Sequence, residues 1–181
     1  SVFSSEEVPE FNDAPDEAMA ATENAQNGVI DLTDDTKVTD GFYTIKSAGN
    51  YKFTCKKSPE TSNRIVVDGK GISPKASINI YLNKVNINTS NGPALQINVN
   101  VEATVTIYLT GTNNLIAKNT YYAGLLKANK ASLIITTKVL DTTAGILNAH
   151  GSSDGNGAGI GGSNITINSC SVIASSKYGA G

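Results

Sequence analysis

The amino-acid sequence predicts an all-β protein, folded as a right-handed parallel β-helix, a solenoid in which the chain coils around one long core. Strand-like segments recur every 27 to 32 residues, apolar and polar residues alternate within them, and helical spacing is nearly absent. Without helices to cover a sheet, such strands bury their apolar side chains by coiling, so that equivalent strands stack in parallel ladders. The handedness follows because parallel crossover connections are nearly always right-handed. The rival fold is a β-sandwich, whose hairpins favour Asn-Gly turns, and this pair occurs only at 27–28, 91–92 and 156–157, too seldom to organise so many strands.

Four aligned segments form the first set of predicted strands. They begin at Ser77, Thr104, Ser132 and Asn164 and read SINIYLNKVNI, TVTIYLTGTNNLI, SLIITTKVL and NITINSCSVI. Aliphatic side chains at every second position predict half-buried strands whose inward residues form continuous columns through successive coils. Each coil would contribute about three strands, with a spacing of roughly 4.8 Å from coil to coil.

A second set of segments lies between the first, and each of them starts in a turn. The segments are GPALQI from Gly92, YAGLLK from Tyr122 and GAGIGG from Gly157, with YGAG beginning again at Tyr178. A less regular early coil is formed by YKFTC from Tyr51 and NRIVVD from Asn63. The sequence therefore predicts successive coils over most of the chain.

The glycine-rich stretch GSSDGNGAGIGG at 151–162 is predicted to be a turn and a short strand. A phosphate-binding loop would need a Lys-Ser/Thr pair and a following helix, and here the strand-like SNITIN follows. Asp154 and Asn156 are weak candidates for calcium, because no partner acid follows within the next dozen residues. No other cofactor or metal is expected.

Charge divides the chain into an acidic leader, residues 1–28, and a β-helix over 29–181. The first 27 residues hold seven acids and no base, whereas the remainder holds nine acids and fourteen bases. The leader is either a solvated tail or a segment that docks on a basic surface of its own chain or of another copy. No stretch of about 18 apolar residues is present, so no membrane span is expected. Nucleic-acid binding is not favoured, because the bases are dispersed and the isoelectric point is acidic.

The two cysteines are predicted to be free and largely buried. Cys55 precedes the strand at Ser77 and Cys170 follows the one at Asn164, which places about four coils, on the order of 19 Å, between them. A disulfide requires Cα atoms within about 7 Å of each other.

The GAGIGG motif and the segment LTGTNNLIAKNTYYAGLLKANKASLII at 109–135 resemble bacterial-type cell-surface β-helix proteins with GAGIGG repeats. The resemblance covers roughly residues 40–181. It implies an extracellular or cell-surface protein that acts as an adhesin or binds carbohydrate. The wider superfamily includes pectin-degrading enzymes and a polygalacturonate-binding module, and none of their catalytic or metal-binding residues matches a position in this chain.

Catalysis is not expected from the acids and bases available. Glycoside hydrolysis needs two carboxyl groups about 5 to 10 Å apart, and Asp68, Asp141 and Asp154 lie on different strands or coils. Arg64, the single arginine, is predicted to be a surface strand residue, and His150 is placed in a polar turn. A pectin-active, lyase-like enzyme is therefore the weakest of the alternatives.

Binding is predicted on the outer face of the first strand set. Tyr81 and Tyr108 should stack on neighbouring coils and face outward, beside Asn79 and Thr106, either as a platform for a sugar ring or as plain ladder stacking. A set of lysines would favour an acidic polysaccharide or a host or neighbour-cell glycan: Lys84, Lys118, Lys127, Lys130 and Lys138. If a eukaryote secretes the protein, Asn88 lies in a turn and could carry a glycan.

Self-association is the remaining alternative. The chain stops at YGAG, in the middle of a motif that elsewhere continues into a strand. Either further coils follow in a longer protein, or a second copy covers the end and copies stack head to tail into an extracellular filament.

Overall fold

The computed structural model describes residues 28–119, 121–128, 130–152, 157–177 and 181. Residues 1–27, which are all but the last residue of the acidic leader, lie outside the described residues. The calcium candidates Asp154 and Asn156 lie outside them as well. A single turn of 3-10 helix, Asp35–Lys37, follows the first strand. The described strands are β1 (Val29–Asp31), β2 (Phe42–Ile45), β3 (Gly49–Thr54), β4 (Arg64–Val67), β5 (Ser77–Asn83), β6 (Asn86–Thr89), β7 (Leu95–Ile97), β8 (Thr104–Thr110), β9 (Thr112–Ala117), β10 (Leu125–Lys127), β11 (Ser132–Thr137), β12 (Ile146–His150), β13 (Ile160–Gly161), β14 (Ile165–Asn168) and β15 (Ser171–Ser175).

Three parallel sheets form the walls of a β-solenoid. Sheet A contains β1, β3, β5, β8, β11 and β14; sheet B contains β2, β4, β7, β10 and β13; sheet C contains β6, β9, β12 and β15. A complete coil passes from sheet A to sheet C to sheet B, as in β5, β6 and β7, and the next coil repeats this order. The pairing between neighbouring coils is parallel in every sheet, so the predicted parallel β-helix architecture is confirmed.

The predicted inward columns of sheet A are confirmed residue by residue. One column runs through Ile78, Val105, Leu133 and Ile165, and the next through Ile80, Ile107, Ile135 and Ile167. Ile80, Ile107 and Ile135 have no exposed surface. Since each buried aliphatic side chain contributes about 1.5–3 kcal/mol, these columns supply much of the stability of the solenoid.

Aromatic side chains fill the core at the first coils. The Tyr43 ring lies edge-on to Tyr51, at 6.4 Å between centroids, and to Phe53, at 5.3 Å. The Tyr51 hydroxyl donates to the Ser47 carbonyl oxygen at 2.8 Å, so its polar end is satisfied. Burial, and secondarily the neighbouring Tyr51, raises the pKa of Tyr43 to about 12.

Sheet C corrects two of the sequence predictions. His150 is the last residue of β12 and contacts the Ser175 hydroxyl, so its placement in a polar turn is wrong. Asn88 lies within β6 and is half-buried, so its placement in a turn is also wrong. Both errors have one cause: asparagines on the outer face and at the corners hide the short apolar alternation of these strands.

Glycine lets two walls of the solenoid approach each other at one corner. Gly124 and Gly159 occupy equivalent places immediately before β10 and β13. A Cβ atom on Gly124 would lie 2.4 Å from the Leu115 carbonyl oxygen, and one on Gly159 would lie 2.5 Å from the Ser175 backbone nitrogen. Gly124 and Gly159 therefore lie at a structural corner where only the backbone fits.

Both cysteines are free, as predicted, and each is half-buried rather than largely buried. They follow β3 and β14, which are four strands apart in sheet A. Cys170 belongs to the last coil, where the inward Ile167 is 48% exposed.

Candidate functional site: a lysine-lined groove on sheet A

The outward side chains of sheet A form ladders that run from coil to coil. Asn50, Asn79 and Thr106 are paired in one ladder, and the Asn79 side-chain amide donates to the Asn50 side-chain oxygen at 2.9 Å. Tyr81 and Tyr108 are paired in the next ladder, and their rings stack with centroids 4.7 Å apart and an interplanar angle of 11°. The predicted stacking of Tyr81 on Tyr108 is therefore confirmed.

A groove with a cavity volume of about 90 Å³ lies beside this tyrosine pair. We call it the lysine groove, and its polar lining consists of Lys52, Thr54, Lys56, Tyr81, Asn83, Thr110 and Lys138. Among the described residues that line it there is no Asp or Glu. Two carboxylates adjoin the lining: Asp31 accepts a hydrogen bond from the Lys56 backbone N–H at 2.9 Å, and Asp141 accepts one from the Thr110 hydroxyl at 3.0 Å. The lining itself therefore carries a net positive charge, with neutral hydrogen-bonding groups around it and two acids beside it.

The outer face of sheet A at and beside the lysine groove is more buried than the sequence suggests. Tyr81 is 5% exposed and Thr106 is 9% exposed, so the expectation that these outward residues are openly accessible is wrong. Tyr108 is half-buried, and desolvation raises the pKa of its hydroxyl. The residue paired with Tyr108 in the following coil is Thr136, which has no ring to continue the aromatic stack. Tyr108 is thus the accessible member of the pair.

Lys52 and Lys56 belong to the groove although the sequence did not single them out. Lys52 is paired directly with Tyr81 in the register of sheet A, and Lys56 follows the same strand. Aligning YKFTC with IYLNK would have placed Lys52 beside Tyr81. The early coil departs too far from the pattern of the later ones for this alignment to be obvious.

The five lysines expected to form a positive field have different environments. Lys84, Lys118 and Lys130 are exposed, and Lys130 forms an ion pair with Glu102 at 3.5 Å. Lys127 does not contribute to a surface field, because its side chain is 1% exposed and its Nζ donates to the Ala128 and Ala131 carbonyl oxygens. Desolvation lowers the pKa of Lys127. Lys138 alone of the five lines the lysine groove.

The acids and the single arginine do not assemble into a reactive centre among the described residues. Asp68 follows a sheet B strand and accepts from the Asn100 side-chain amide, whereas Asp141 lies beyond a sheet A strand. Arg64 is half-buried: its Nε donates to the Pro93 carbonyl oxygen at 2.6 Å and its guanidinium lies over the Phe42 ring. The described residues contain no group of three or more His, Cys, Asp or Glu side chains placed to hold a metal ion.

Comparisons with known proteins add no relative. No family model matches the chain, and neither a curated protein nor a solved structure matches it. The resemblance to GAGIGG-repeat surface proteins therefore stays a prediction. Within the described part of the chain, no helix has the length and apolar character required to cross a membrane.

Proposed function

We propose that the protein is a non-enzymatic, extracellular or cell-surface binding protein for an acidic polysaccharide, held in the lysine groove. The observation that carries this proposal is the position of the Tyr81–Tyr108 stack beside three lysines, in a groove whose described lining contains no acid. This combination offers an aromatic face, hydrogen-bonding groups and positive charge along one side of a regular, repetitive wall.

Each part of the groove fits one part of such a ligand. Beside the groove, the half-buried Tyr108 ring, which stacks on the lining residue Tyr81, can pack against the apolar face of a sugar ring. Asn83 and Thr110 can exchange hydrogen bonds with sugar hydroxyl groups. The ammonium groups of Lys56 and Lys138 can pair with carboxylate or sulfate groups of successive sugars, which a neutral polymer would not provide. The charge therefore favours an acidic over a neutral polysaccharide.

The proposal predicts that removing groove lysines weakens binding. At low ionic strength, the double variant Lys56→Gln/Lys138→Gln should bind polygalacturonate about threefold to tenfold more weakly than the wild-type chain, since each exposed charge pair contributes about 0.2–1 kcal/mol. Fluorescence anisotropy with an end-labelled polymer measures the change. Thermal unfolding followed by circular dichroism should change little, because Lys56 is exposed and Lys138 is only half-buried.

Lys75→Gln provides the matched control. Lys75 is an exposed lysine in the loop before β5, and it does not line the lysine groove. Compared with either single variant, Lys56→Gln or Lys138→Gln, its replacement removes the same single charge from the chain, and it should leave the affinity within about twofold of wild type, because a lysine outside the groove makes no direct contact with the bound polymer. Equal losses in the groove variant and in the control would mean that only net charge matters, and would contradict a defined site.

A further inference from the structure

The outer face of sheet B carries a groove that shares no residue with the lysine groove. One part of it has a cavity volume of about 360 Å³, within the range of small-molecule sites, and its lining includes Phe42, Lys46, Arg64, Asp68, Gln96 and Asn98. A second cavity, of about 480 Å³, shares Phe42, Thr44 and Lys46 with the first. The two cavities therefore form one continuous groove, which we call the sheet B groove.

The register of sheet B brings the polar side chains of this groove together. Asp68 follows Val67 and Asn98 follows Ile97, and Val67 and Ile97 are paired in neighbouring coils. Asp68 and Asn98 are therefore adjacent on the outer face, with their backbones roughly 4.8 Å apart. Both side chains line the same cavity.

A chain of hydrogen bonds fixes the orientation of the Asn98 amide. A terminal nitrogen of Arg64 donates to the Gln96 side-chain oxygen at 2.8 Å, and a guanidinium can only donate, so the oxygen of Gln96 must face it. The Gln96 side-chain nitrogen then donates to the Asn98 side-chain oxygen at 2.9 Å. Among the described residues, none accepts a hydrogen bond from the Asn98 side-chain nitrogen. Arg64 and Gln96 thus leave a donor of Asn98 available to a ligand.

Asp68 offers an acceptor beside this donor. Its Oδ1 accepts from the Asn100 side-chain nitrogen at 2.7 Å and from the Lys70 backbone N–H at 3.1 Å. These two hydrogen bonds, the one from Asn100 first, lower the pKa of Asp68, so the side chain is a carboxylate at neutral pH. Within the described part of the chain, no group donates a hydrogen bond to its Oδ2.

A carboxylate acceptor next to an amide donor matches two adjacent hydroxyl groups of a sugar. Each hydroxyl can donate and accept, so one can donate to Asp68 while its neighbour accepts from Asn98. The half-buried Phe42 ring offers an apolar surface in the same groove. Arg64 is already engaged by Gln96 and by the Pro93 carbonyl oxygen, and the Asp68 carboxylate would repel an acidic ligand. The chemistry therefore favours a neutral sugar.

We propose that the sheet B groove binds a neutral oligosaccharide through two adjacent hydroxyl groups of one sugar, with Asp68 accepting from one and Asn98 donating to the other. Phe42 packs against the sugar ring, and Arg64 and Gln96 are positioning residues. This site differs from the lysine groove in place and in ligand charge. It does not depend on the proposed function, and it would stand if no acidic polysaccharide bound.

Three neutral hexasaccharides of different linkage test the ligand side of the proposal. Cellohexaose and mannohexaose are 1,4-linked and keep adjacent 2- and 3-hydroxyl groups on every sugar, whereas the internal sugars of 1,3-linked laminarihexaose have no adjacent pair. By isothermal titration calorimetry, the full-length chain should bind at least one of the 1,4-linked compounds about fivefold or more tightly than laminarihexaose, since a missing hydroxyl leaves Asp68 or Asn98 unpaired. Equal affinity for all three, or no binding of either 1,4-linked compound, would overturn the proposal.

Two nearly isosteric variants test the protein side. Asp68→Asn and Asn98→Asp retain the Oδ1 atoms that accept from Asn100 and Gln96, and each changes only the group offered to the ligand. Each should weaken binding of the 1,4-linked compound on the order of tenfold, with thermal unfolding little changed. Glu102→Gln, which removes an exposed acid outside the groove, should leave the affinity within about twofold of wild type.

The two variants also control for net charge, because one removes a negative charge and the other adds one. Losses in both variants therefore support the paired hydrogen bonds, whereas opposite changes in affinity, or no change in either, would contradict them. Polygalacturonate, measured with the same two variants, should bind within about twofold of wild type, because neither residue lines the lysine groove. Failure of the sheet B site and failure of the lysine groove are thus read with different ligands and different variants.

Discussion

Replacing Gly124 with alanine is expected to lower the free energy of unfolding by about 2–3 kcal/mol, because the added methyl group has no space. Its Cβ would lie 2.4 Å from the Leu115 carbonyl oxygen and 2.9 Å from two backbone atoms of His150. These atoms belong to neighbouring strands of sheet C and cannot move without breaking their ladder. Urea unfolding followed by circular dichroism measures the loss.

Gly161→Ala is the matched control for this substitution. A Cβ on Gly161 would meet the end of the Leu126 side chain at 3.2 Å, and that side chain can rotate away. Its effect should stay within about 0.5 kcal/mol, because a new methyl group in flexible surroundings costs little and alanine restricts the unfolded chain. If both variants lost the same stability, glycine would matter here for backbone freedom and not for the close approach of two walls.

Replacing Asn113 with alanine is expected to cost about 2–4 kcal/mol, because it removes a buried amide and leaves a buried donor without a partner. Asn113 has no exposed surface. Its side-chain oxygen accepts from the Val85 backbone N–H at 2.8 Å, in the preceding coil, and its amide group faces the Ile146 carbonyl oxygen of the following coil at 3.4 Å. The side chain thus joins three coils at one corner. Chemical denaturation compares the variant with the wild-type chain.

Asn114→Ala tests whether this effect is specific to the inward amide. Asn114 is the next residue, lies half-buried on the outer face, and accepts one hydrogen bond from the Asn148 side chain at 3.0 Å. Water can replace that bond, so the loss should not exceed about 1 kcal/mol. A larger loss at Asn114 than at Asn113 would contradict the assignment of the corner to the inward amide.

The sheet A columns could be predicted because their aliphatic residues alternate without interruption over several coils. Sheet C could not be predicted as readily. Its strands are short, and the inward Asn113 occupies a position where an aliphatic residue would have marked the pattern. Lys127 was expected to contribute a surface charge, and this expectation was wrong because the residue occupies an inward strand position. The carbonyl oxygens of Ala128 and Ala131, just beyond the strand, accept hydrogen bonds from its ammonium group.

The candidate site was predicted only in part. The pairing of Tyr81 with Tyr108 follows from the coil alignment, because equivalent positions of neighbouring coils must be adjacent in a parallel ladder. The burial of Tyr81 could not be read in the same way, since it depends on what lies over the outer face and not on the period of the strand. Lys52 enters the groove from the least regular coil, where alignment gives the weakest signal.

The central claim, an acidic-polysaccharide site in the lysine groove, is tested most directly by comparing polygalacturonate with its methyl ester. The two polymers share a backbone and differ in charge. The full-length chain should be measured beside a variant in which the seven leader acids are replaced by their amides. In this variant, a leader that docks on a basic surface cannot mask the site. We expect this variant to bind the free acid about tenfold more tightly than the ester, as expected for a few exposed charge pairs, with the preference lost in high salt. Equal affinity for both polymers, or no binding of either by the leader variant, would contradict the claim.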